Sequence, residues 1–130
     1  MQYLTGIRAL NLPCKLGTPG DWHSISTRWD DLPTKESEDS VFGDYGIEPD
    51  RYVSQVKRTM PVANHIRALL DMISEGSFGA AEGMRDDFIE TDQYDAEIFA
   101  KVELLRNREN WAAINRFMSK EYGRAWQDRI

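Results

Sequence analysis

Few residues in this chain offer chemistry beyond charge: two histidines, His23 and His65, and one cysteine, Cys14, against 22 acids. The sharpest local pattern is Gly20-Asp21-Trp22-His23. An acid two residues from a histidine can share a metal, or hold the imidazole in one tautomer. If this stretch is a strand, Asp21 and His23 point to the same side. His65 stands beside Asn64 at the margin of an apolar stripe. Were the two histidines to meet near Asp21, Asp44 or Cys14, they would form a metal site or an acid–base pair. The plainer reading is that Asp21 caps a turn, Trp22 packs, and His65 is hydrogen-bonded in the core. Cys14 follows Pro13, and a nucleophilic cysteine needs a base nearby. His23 is the only base close in sequence, so a small, buried residue at a strand end is the simpler reading of Cys14. No serine sits in a Gly-x-Ser-x-Gly elbow.

Phe42-Gly43-Asp44-Tyr45-Gly46 is the next candidate. Two glycines around an acid and a ring imply a tight backbone path. The segment has no lysine and matches no phosphate-binding loop. It is read either as a shaped binding surface or as a turn anchored by Phe42 and Tyr45.

These residues must be positioned by elements that the sequence marks out. Tyr3–Leu12 alternates loosely, as a short strand does before Pro13. Trp22–Trp29 is β-branched and aromatic enough for a second strand. Residues 30–60 are broken by Pro33, Gly43, Gly46 and Pro49, yet Val41, Phe42, Tyr45, Ile47 and Tyr52 punctuate them. An ordered loop anchored to the core is therefore expected. Helices are expected from Pro61, first with Val62, Ile66, Leu69, Leu70 and Ile73 inward and Gly76 as the stop. A weaker second helix covers Phe78–Phe88, with Ala81, Met84 and Phe88 inward and Gly79 and Gly83 against it. A third starts near Thr91 or Asp92 and buries Ile98, Phe99, Val102 and Leu105. A fourth, capped by Asn107, carries Trp111, Ile114, Phe117, Met118, Tyr122 and Trp126. The expected fold is α+β and mainly helical: one domain over 1–130, with a small β-unit (1–29), an acidic irregular segment (30–60) and a bundle of about four helices (61–130).

Composition excludes several functions. The net charge is −6, and residues 30–50 hold eight acids against Lys35 alone. A nucleic-acid binder needs clustered Lys and Arg, so nucleic acid is not expected as a partner. The series Arg106, Arg108, Arg116, Lys120, Arg124 and Arg129 is interrupted by Glu103, Glu109, Glu121 and Asp128, and reads as a solvated face. No run of about 18 apolar residues exists, so no membrane span is expected. The first residues, MQYLTGIRALNLP, lack the pattern of a signal peptide, and the cytoplasm is the expected compartment.

Four segments carry a resemblance: YLTGIRALNLP (3–13), GDWH (20–23), FGDYGIE (42–48) and NHIRALL (64–70). Together they resemble a family of small bacterial proteins with no established activity. That resemblance implies members encoded beside toxin–antitoxin or phage-defence genes, and it brings no catalytic residue.

Two functions remain. The first is a protein-binding or regulatory protein, antitoxin-like, whose acidic segment steers a basic partner. Asp39, Phe42, Asp44, Tyr45, Glu48 and Trp126 would then make the contacts, with no cofactor or resident metal. A second copy of the chain is another partner. The alternative is a small metal-dependent hydrolase or nuclease using Asp21, His23, Asp44 and His65. The balance favours binding over catalysis.

Overall fold

The computed structural model describes residues 1–130 and has an α+β architecture. The chain divides into two compact units, Met1–Asp71 and Met72–Ile130.

The first unit is built on a four-stranded sheet. Its strands are β1 (Gln2–Leu4), β2 (Thr34–Glu36), β3 (Ile47–Val53) and β4 (Arg58–Ala63), in the order β2-β1-β4-β3. β1 pairs antiparallel with β2, and Leu4 lies opposite Val62 in a parallel pairing with β4. β3 and β4 form an antiparallel hairpin. Helix α1 (His65–Glu75) follows β4 directly.

An N-terminal β-unit followed by helices agrees with the expectation, but its expected bounds, 1–29, are corrected. Only Gln2–Leu4 is a strand there. Gly6, at φ +70°, turns the chain into a short 3-10 turn, Ala9–Asn11, which buries Ala9 and Leu10. Trp22–Trp29 is not a strand either: it holds a 3-10 turn, Ser24–Ser26. His23 sits in the left-handed region at φ 53°. Its carbonyl accepts bonds from Ser26 Oγ and Thr27 Oγ1, both at 3.0 Å. Serine and threonine thus close a local turn that competes with a sheet ladder.

Most of the sheet comes instead from the segment expected to be irregular. Prolines obscured it, and the register explains why they are tolerated. Glu48 lies opposite Val62 and Arg51 opposite Met60, so Pro49 and Asp50 face Pro61 alone. This is a bulge, two residues against one, and both prolines fall where the ladder is already interrupted. Pro61 consequently lies inside β4 and does not open a helix. The helix begins after Asn64, whose Oδ1 accepts the Arg67 amide at 2.8 Å as a side-chain cap.

In the second unit the main helices are α2 (Phe78–Ala81), α3 (Asp95–Val102), α4 (Trp111–Tyr122) and α5 (Arg124–Gln127). Gly76 ends α1 at φ +84°, as expected from its position after Ile73. The expected 78–88 helix is split: α2 stops at Ala81, and a π-type turn spans Arg85–Ile89. Gly83, at φ +90°, cannot continue a right-handed helix. The anticipated inward residues Ala81, Met84 and Phe88 are nonetheless buried, as are Ile98, Phe99, Val102 and Leu105. Tyr94 precedes α3 and Asn110 precedes α4, so α3 starts later than Thr91 or Asp92 and Asn107 does not cap α4. The last helical stretch breaks at Gly123, which separates α4 from α5.

Candidate functional site

The polar residues that the fold gathers lie in the first unit, around the start of α1. His65 is fully buried. Its Nε2 donates to the Leu12 carbonyl at 2.6 Å. That fixes the proton on Nε2 and leaves Nδ1 as an acceptor, which takes the Thr18 hydroxyl. The same hydroxyl oxygen is 3.8 Å from Cys14 Sγ. Cys14 is partly exposed. Cys14 opens a turn closed by the Gly17 amide, which donates to the Cys14 carbonyl at 3.2 Å, and Thr18 follows that turn.

Two side chains from β3 hold this loop. The Lys15 amide donates to Glu48 Oε2 at 3.0 Å. Arg51 donates to the Pro13 carbonyl at 2.6 Å and pairs with Glu48 at 3.0 Å. Gly20 completes the fit, because a Cβ there would stand 3.2 Å from the Leu12 carbonyl oxygen. Burial by itself pushes the Cys14 thiol up, but interactions of the thiolate with the His65 side chain and with the backbone of His65 and Leu16 outweigh it. The net result is a thiol lowered to about 7.

Two residues along α1, Arg67 is also fully buried. Its Nε donates to Asp71 Oδ1 at 3.0 Å, and Nη2 donates to the Tyr3 hydroxyl at 2.8 Å. Nη1 reaches two carbonyls of the acidic loop, Gly43 at 2.7 Å and Tyr45 at 2.6 Å. The guanidinium lies 4.8 Å from the centre of the Tyr3 ring and 5.5 Å from that of Phe42. Asp71 Oδ2 accepts from both Tyr3 and Thr5 at 2.7 Å. Burial, reinforced by the Asp71 carboxylate, holds the Tyr3 hydroxyl well above its usual range. A buried ion pair is tolerable only when its remaining donors and acceptors are satisfied, and here the loop carbonyls do that. Gly46 permits the approach: it has φ +71°, and a Cβ there would fall 2.8 Å from Arg67 Cβ.

The residues named from sequence separate into distinct environments. Asp21 and His23 are exposed, and the His23 ring stands edge-on to Trp22 at 4.8 Å. Asp44 is exposed while His65 is buried. No three His, Cys, Asp or Glu side chains converge to hold a metal ion, so Asp21, His23, Asp44 and His65 do not assemble the metal site considered above. Among the anticipated partner contacts, Asp39 and Asp44 are exposed and Tyr45 is half-buried. Phe42 is buried under Arg67, and Glu48 is buried against Arg51 and Lys15. Trp126 is fully buried, and its Nε1 donates to Asn115 at 2.8 Å. Neither Phe42, Glu48 nor Trp126 therefore presents a side chain to a partner.

Arg67, Asp71 and Thr18 were missed in the sequence. Arg67 and Asp71 did leave a signal: opposite charges four residues apart among Ile66, Leu69, Leu70 and Ile73. Thr18 left none, because nothing local marks a hydroxyl that meets a histidine 47 positions away.

The second unit carries a mostly apolar groove of about 350 Å³ between Phe78, Ala113 and Phe117, with Lys120 and Glu82 paired across its rim at 3.1 Å. The Phe78 and Phe117 rings stack at 5.2 Å. No family model, curated protein or solved structure matches this chain.

Proposed function

We propose that this is a small cytoplasmic protein-binding module, regulatory in role and antitoxin-like as the resemblance implies. Its acidic segment engages a basic protein. The observation that carries this reading is the ordering of that segment. Arg67 grips its backbone at Gly43 and Tyr45, while Asp39, Asp44 and Asp50 stay exposed. Two apolar side chains are held out beside them: Val41, 47% exposed, and Tyr52, 63% exposed. Fixed carboxylates steer association, and a rigid Tyr supplies contact area at low entropic cost. An ordered acidic surface also loses less conformational entropy on binding than a disordered tail would.

The edge of the sheet supports contact through side chains rather than through strand addition. β3 is an edge strand, and its Pro49 and bulge spoil the row of donors that an added strand would need. The test is co-purification with and without charge reversal at Asp39, Asp44 and Asp50. One stoichiometric partner, lost on reversal, is the expected result. The wild-type protein recovered alone at every salt concentration would refute the reading.

A further inference from the structure

We propose that Cys14 is a nucleophilic thiol that forms mixed disulfides with small disulfides, with His65 as the base that accepts its proton. The inference rests on a pair, cysteine and histidine, brought together from positions 51 residues apart and absent from the binding reading above. A structural cysteine is typically sealed among apolar side chains and inert. Cys14 is partly exposed, and its sulfur lies against a hydroxyl that is itself bonded to a fully buried imidazole. The Leu12 carbonyl orients that imidazole in the tautomer a base requires, with Nδ1 free of its own proton.

The remaining charged groups around the thiol are Lys15, its neighbour, and Glu48 and Arg51 from β3. Those two are paired with each other, so neither offers the sulfur an unbalanced charge. A thiol lowered to about 7 agrees with this geometry.

The step balances without a further reactant. The Sγ proton passes to the Thr18 hydroxyl oxygen as that hydroxyl's own proton passes to Nδ1 of His65, and the imidazolium keeps Nε2–H on the Leu12 carbonyl. The thiolate attacks one sulfur of the disulfide. A new Sγ–S bond forms as the old S–S bond breaks, and the leaving thiolate takes the proton back from His65. Cys14 is oxidised to the mixed disulfide, and one half of the small disulfide is reduced to its thiol.

The test uses the full chain and oxidised glutathione as the probe. Thiolate absorbance in the ultraviolet, with Cys14→Ser as the blank, should inflect near pH 7. Mass spectrometry at pH 7 should find a single adduct on Cys14, forming faster in the folded than in the denatured chain. Replacing His65 by Gln should move the inflection up towards the ordinary thiol value. It should also slow adduct formation at pH 7 by roughly sixfold: the thiolate fraction falls about fiftyfold, and the greater nucleophilicity of the more basic thiolate recovers part of this. Should His65→Gln fail to fold, the wild-type titration still decides. An inflection at about 8.5 or above, or slower reaction in the folded chain, would overturn the proposal.

Discussion

Arg67 is the residue on which the first unit turns, and its removal should be costly out of proportion to its size. Arg67→Ala would strip Asp71 of its countercharge and leave the Gly43 and Tyr45 carbonyls without their donor. Breaking a buried pair from one side costs about 3–5 kcal/mol, and urea denaturation should register a loss of that order. Cys14 makes a second prediction at this scale, with a definite sign. Its thiol is lowered from 9.0 to about 7 in the folded chain. The unfolded chain therefore holds its proton longer as pH rises, and native stability gains between those two values. The stabilisation of wild type over Cys14→Ser should be larger at pH 9 than at pH 6. A difference that does not change with pH would contradict the pairing with His65.

Local rules read the helices of this chain better than its strands. The stripe Ile66, Leu69, Leu70 and Ile73 and the stop at Gly76 follow from periodicity and backbone sterics, and both are found. The strands were hidden for a physical reason. Pro49 and Pro61 read as breakers, and only the pairing of β3 with β4 shows that they share one bulge. Trp22–Trp29 had the composition of a strand, but the Ser26 and Thr27 side chains satisfy the His23 carbonyl locally. The candidate site was half legible. His65 and the Phe42–Gly46 loop stood out as residue types, whereas the partner of each, Thr18 for His65 and Arg67 for the loop, lies far off in sequence. The joint between β4, α1 and the acidic loop offers a direct test. Gly46 must be glycine, because Gly46→Ala meets both a left-handed φ and the Arg67 side chain. Strain and overlap together should cost about 2–4 kcal/mol. Asn64→Ala removes only the cap and should cost about 1 kcal/mol. A smaller loss for Gly46→Ala than for Asn64→Ala would show that the loop is not held as described.

At the scale of the whole molecule, the acidic charge is concentrated in residues 30–50. The eight acids of residues 30–50 include Glu48, which is consumed in holding the Cys14 loop, and Asp39, Asp44 and Asp50, which are exposed. Trp126 and Phe42, attractive as anchors in the sequence, are absorbed by the cores of their own units. On the proposed reading, binding is left to exposed carboxylates with Val41 and Tyr52 among them. None of the three acids forms part of the Arg67 network, so reversing them should leave the denaturation midpoint nearly unchanged. The most direct measurement is therefore co-purification at low and high salt of the wild-type chain and of an Asp39→Lys, Asp44→Lys, Asp50→Lys variant confirmed to be folded. A single stoichiometric partner, basic in charge, weakened by salt and lost in the variant, is the predicted result. A partner retained equally by the variant, or none at any salt, would contradict it.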